Sequence, residues 1–128
     1  AVDAATAANA QGLLDAVAST SAALAKAITL GDVILSDSDI KVTDVVNKSE
    51  ADTINTYNDA SGTVTLASVT DVLNNVNALS TTAGISIATS NLKVTDTTTL
   101  SDAITLDSYT SGNVVLDIVT DTYENTDK

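Results

Sequence analysis

The chain has 128 residues, 17 acidic side chains against 5 lysines, and neither Arg nor His, giving a net charge of -12. So few scattered cations cannot assemble the basic patch that nucleic acid requires, an anionic membrane surface is disfavoured by the same electrostatics, and no apolar run approaches the roughly 20 residues of a membrane span. Cysteine is absent, so disulfides and thiol chemistry play no part, and a core without Phe, Trp or Met must be built from Val, Ile, Leu and Ala.

In chain order, the Ala-rich stretch from Ala5 to about Ile28 places Leu13, Leu14, Val17, Leu24 and Ile28 on or near one stripe, which predicts one long helix or two. Ile40 and Val42, flanked by polar residues, predict a short half-buried strand, and so do Val64 with Leu66, Ile85 with Ile87, and Val114 with Leu116. Between strands, Val72, Leu73, Val76 and Leu79 keep helical spacing after a capping Thr70, and Ser49 and Ser101 are expected to cap shorter helices. Gly62 and Gly112 are expected to supply left-handed turns out of helices, and Gly84 the same before Ile85. Thr97, Thr98 and Thr99 fit strand or loop equally.

The chain repeats itself. Ile40-Lys41-Val42-Thr43-Asp44 returns 52 positions later as Leu92-Lys93-Val94-Thr95-Asp96, with the register held to Tyr57 and Tyr109. A second block, Ser61-Gly62-Thr63-Val64-Thr65-Leu66 through Val69-Thr70-Asp71, returns as Ser111-Gly112-Asn113-Val114-Val115-Leu116 through Val119-Thr120-Asp121. Val2, Leu14 and Val17 echo the spacing of Val42, Ile54 and Tyr57. The reading is therefore a diverged first copy over 1–40, mostly helical and ending in strands, a full central copy over 41–92 and a truncated third over 93–128. Short strands alternating with short helices predict an α/β repeat, solenoid-like or a small layered α/β, elongated in shape, with an α+β or β-sandwich arrangement as the alternative.

The V-T-D strand, the short capped helix, and the S-G followed by V-x-L-x-x-V-T-D resemble the tandem repeats of giant secreted cell-surface proteins of bacteria, those of cyanobacteria and type I-secreted adhesins among them. The resemblance covers nearly the whole chain, although the G-G-x-G-x-D calcium nonapeptide of many such proteins is absent. It implies an extracellular, cell-surface location and a spacer, adhesive or coat-forming role.

The residue inventory argues against catalysis. Without His, Cys or Arg there is no imidazole base, no thiol nucleophile and no guanidinium clamp. Asp37 with Asp39, or Asp44 with Asp96, could in principle form a glycosidase carboxylate pair, but Asp44 and Asp96 are equivalent places in successive copies, and repetition explains them more simply. Asp37, Asp39, Asp44 and Asp96 are the candidate metal ligands, for calcium, because hard cations take several carboxylate and carbonyl oxygens and stacked copies would bring acids together. Asp71 and Asp121, each following a Thr, read instead as charges favouring the start of their own helices. Tyr57 and Tyr109 form a matched pair that serves either as a sugar-stacking platform or as the end of a core stripe, and Asn47-Lys48-Ser49 has the form of a glycosylation acceptor. Two functions follow as expectations: a non-catalytic structural module, spacer or adhesive, whose partners are neighbouring repeats; or a self-assembling subunit of an extracellular filament or coat, joined head to tail with identical subunits.

Overall fold

A computed structural model of the protein describes residues 16–24, 39–58 and 62–121. Strands β1 (Ala16–Ser19), β2 (Asp39–Val46), β3 (Val64–Asp71), β4 (Ile85–Ser86), β5 (Asn91–Thr98) and β6 (Val114–Val119) alternate with helices α1 (Lys48–Asn58), α2 (Leu73–Leu79) and α3 (Leu100–Asp107). The strands lie side by side in the order β1-β2-β3-β5-β6, with β4 also on β3, and every pairing is parallel. Parallel neighbours need a crossover element between them, which the helices supply. The sheet is open rather than closed into a barrel, and the antiparallel alternative is excluded among the described strands.

Period-two patterning makes the strands. In β2, Ile40, Val42 and Val46 are buried while Asp39, Lys41, Thr43 and Val45 are exposed; in β5, Leu92, Val94 and Thr98 are buried while Asn91, Lys93, Thr95 and Thr97 are exposed. The two sequence copies therefore fold alike. Each breaks its alternation at the same place: register slips by one residue between Val42 and Val45 against β3, and between Val94 and Thr97 against β6. V-T-D thus marks a β-bulge in both strands, and the extra residue re-aims the side chains beyond it. β4 and β5 behave as one interrupted strand, since Val64 pairs with Ile85 and Ser68 with Asn91.

The helices present apolar side chains to a single core. Ala51 and Ile54 of α1, Val76 and Leu79 of α2 and Leu106 of α3 join Ile40, Val42, Val64, Leu66, Val69, Leu92 and Val94 in one buried cluster. Lys41, Thr43, Lys93 and Thr95 face away from it. Each 52-residue copy accordingly holds two β/α units, one of the β2 and β5 kind and one of the β3 and β6 kind.

Several expectations are corrected. Ala16–Ser19, inside the expected N-terminal helix, is a strand paired with Asp39–Val42; sheet hydrogen bonds available across the chain outweigh the helix preference of alanine, which is a weak prior. Among the described residues of that stretch, helix occupies 21–24, after Thr20, whose hydroxyl accepts the Ala23 N–H at 3.3 Å. Residues 5–15 and 25–28 of that expected helix lie outside the described residues. Val17 also cannot be the counterpart of Tyr57, which lies in α1. It stands 52 positions before Val69, as Leu24 stands before Val76, and both of that second pair are buried.

Thr70 is not a cap, because β3 runs on to Asp71 and the N-cap of α2 is Val72, whose side chain makes no capping bond. Ser49 and Ser101 lie inside their helices. The caps are Asn47, which accepts Glu50 N–H at 2.9 Å while Glu50 accepts Asn47 N–H at 3.2 Å, and Thr99, in the same reciprocal arrangement with Asp102. Thr97 and Thr98 belong to β5. Gly84 has the expected positive φ of 85°. Gly112 does not; it is needed because a Cβ there would sit 2.3 Å from the Ser90 carbonyl oxygen, a close approach of two backbones.

Candidate functional site

The first backbone N–H groups of a helix have no partner within the helix. Here the amide immediately after each N-cap is taken by an aspartate from the next unit along the sheet. Asp44 accepts Ser21 N–H at 2.8 Å and the Ser21 hydroxyl at 2.9 Å. Asp71 accepts Lys48 N–H at 2.8 Å, Asp96 accepts Leu73 N–H at 2.7 Å, and Asp121 accepts Leu100 N–H at 2.8 Å. All four acids close a V-T-D triplet: 42–44, 69–71, 94–96 and 119–121. The ladder lies along the ends of the parallel strands where the chain enters the helices, so each carboxylate meets the positive end of a neighbouring helix as well as a donor.

Asp71 carries further bonds, accepting also its own unit's Val72 N–H at 2.8 Å and the Asn75 amide at 2.9 Å. Burial pushes its carboxyl upward, but the Lys48 N–H, the Asn75 amide, the Val72 N–H and the Lys48 charge together outweigh this and hold it below the usual range. Asp44 is also held low, first by the Ser21 N–H and then, against a smaller opposing effect of burial, by the Ser21 hydroxyl. Both groups bind protons more weakly folded than unfolded. The stability they contribute is therefore complete above their unfolded pKa of about 3.9 and is lost as pH falls through the lower folded value. Urea midpoints measured from pH 6 to pH 2.5 are expected to fall steeply below about pH 4, and Asp44→Asn with Asp71→Asn should flatten that fall.

A second row of contacts joins the opposite strand ends. Asp39 accepts Thr63 N–H at 3.0 Å, and Asn91, its counterpart one copy later, accepts Asn113 N–H at 3.0 Å. The Ser90 hydroxyl bonds the Leu66 carbonyl, and Thr110 the Ser90 carbonyl at 2.5 Å. Asp39 and Asp44 thus stand at opposite ends of β2, about 16 Å apart at the usual rise per residue. Asp44 and Asp96 are separated by the intervening β3, about 10 Å at ordinary strand spacing, with Asp71 between them. Each of these carboxylates is occupied by a backbone amide. Asp37 lies outside the described residues, among which no group of three acid side chains is placed to hold a metal ion.

Among the described residues, Lys48 pairs with Asp52 within α1, and Lys93 lies 3.6 Å from Asp117 on the exposed sheet face. Tyr109 is half-buried against the core cluster, as the end of a core stripe would be. A shallow depression of 220 Å³ lies between residues 21–22 and α1, lined by Ser49, Glu50, Thr53 and Ile54, and holds one ionisable group, Glu50. None of the described helices is long and apolar enough to cross a membrane.

Sequence alone places Asp71 and Asp121 at their own helix starts. Asp71 does serve Val72, but both acids also reach back 23 and 21 residues to the preceding unit. The signal was the recurrence of V-T-D in both blocks, since a local helix-start charge does not require a fixed strand residue two places before it. Comparison with family models, curated proteins and solved structures finds no match for the chain.

Proposed function

We propose that the chain is a non-catalytic structural repeat module of an extracellular surface protein, a spacer or adhesive segment that continues by adding β/α units along one sheet. The observation that carries this reading is the ladder: the aspartate that recurs in every V-T-D is spent on joining one unit to the next. Such nearest-neighbour joints, repeated with apolar residues shared between units, are the energetics of a solenoid, in which no unit closes its core alone. The excess of negative charge keeps such an array soluble and self-repelling, and the likeness to repeats of bacterial surface proteins supplies the extracellular setting.

X-ray scattering from chains carrying zero, one or two extra copies of residues 41–92, inserted in register after residue 92, tests this. Each inserted copy adds two strands, so the maximum dimension should grow by about 10 Å per copy, two strand spacings. Growth by a whole domain diameter per copy, or none, would contradict a continuous stack.

A further inference from the structure

The two kinds of unit alternate: β2 and β5 each carry the bulged V-T-D and a reciprocal cap, while β3 and β6 share the V-x-L-x-x-V-T-D block. This makes β3 a record of what β6 is built to meet. Val64, Leu66 and Val69 of β3 are fully buried, the last 1% exposed, because β5 and α2 follow. Their counterparts Val114, Leu116 and Val119 are half-buried, half-buried and 43% exposed, beside Val115 at 51% and Ile118 at 48%. Among the described residues nothing pairs with the outer edge of β6. Over the same sequence block β6 is more exposed than β3, and among the described residues it lacks the unit that follows β3.

On the repeat-module reading above, we infer that the edge of β6 is a docking surface for one further β/α unit of the β5 kind, a parallel strand with the bulged V-T-D followed by a capped helix. The described residues of a second copy of this chain do not offer it. Among them the edge strand opposite β6 is β1, whose Val17-Ala18-Ser19 stands 52 positions before Val69-Thr70-Asp71. It is thus a strand of β6's own kind, with serine where the joining aspartate belongs. The strands of the β5 kind in that copy, β2 and β5, are already paired on both sides.

The test extends the full chain in two ways. A matched chain continues after Lys128 with a second copy of residues 79–121, which brings a β5-kind unit next to β6. A mismatched chain continues with residues 106–121, which brings another β6-kind strand. Amide hydrogen exchange over Val114–Val119 is expected to slow at least tenfold in the matched chain and to stay unchanged in the mismatched one. Unchanged exchange in the matched chain, equal slowing in both, or a matched chain that does not fold would overturn the inference. If arrays with internally inserted copies lengthen as described while β6 stays unprotected, the docking inference fails and the repeat-module reading stands.

Discussion

Replacing Asp71 by alanine is expected to lower the unfolding free energy by about 2–3 kcal/mol, the usual cost of removing a charged hydrogen-bond acceptor that also caps a helix. The substitution strands the Lys48 N–H of the preceding unit, the Val72 N–H of its own unit and the Asn75 amide together. Asp71→Asn keeps an acceptor oxygen without the charge and should cost about half as much. Asp117→Ala is the control. That acid meets only Lys93 on the exposed face, at 3.6 Å, and removing an exposed ion pair should change stability by less than about 0.5 kcal/mol. Equal effects at positions 71 and 117, read from urea midpoints, would reduce the ladder to ordinary surface charge.

Leu66→Ala should cost more, about 3–4 kcal/mol, within the range for deleting a fully buried leucine side chain. Leu66 is completely buried in β3 and paired opposite Val42, so its side chain closes the gap between two units. The chain contains its own comparison. Leu116 holds the matching place in β6 but is only half-buried, so Leu116→Ala should cost about half as much, while Ile104→Ala, at a residue 73% exposed, should stay within about 0.5 kcal/mol. Thermal or chemical unfolding of the three variants gives the order directly. A Leu116 effect as large as that of Leu66 would mean that the end unit is as well covered as the middle one.

What could be read from the residues was what is local or repeated. β2, β3, β5 and β6 announce themselves because alternating aliphatic residues need only their own strand to be recognised, and the 52-residue register needs only comparison of the chain with itself. The strand at Ala16–Ser19 could not be read this way. Alanine carries no side-chain pattern, and what makes it a strand is a partner at Asp39–Val42, more than 20 residues on. Thr70 before Asp71 has the form of a local cap, yet β3 continues past it and the cap position falls to Val72. The role of the aspartates was hidden for the same reason: each acts on a helix in the preceding unit, a contact that sequence spacing alone does not reveal. Gly112 gave a misleading signal too, since glycine serves both turns and close approaches, and only the nearby Ser90 carbonyl decides which.

Each V-T-D aspartate locks the first amide of the preceding unit's helix. Hydrogen exchange of the Ser21, Lys48, Leu73 and Leu100 amides, resolved by NMR, tests it most directly, because amides at the first helical position have no partner within their own helix. All four are predicted to exchange slowly at neutral pH, and the Lys48 amide should lose its protection in Asp71→Ala. Exchange of these amides at the rate of an open peptide, while the neighbouring strand amides stay protected, would show that the aspartates do not hold them.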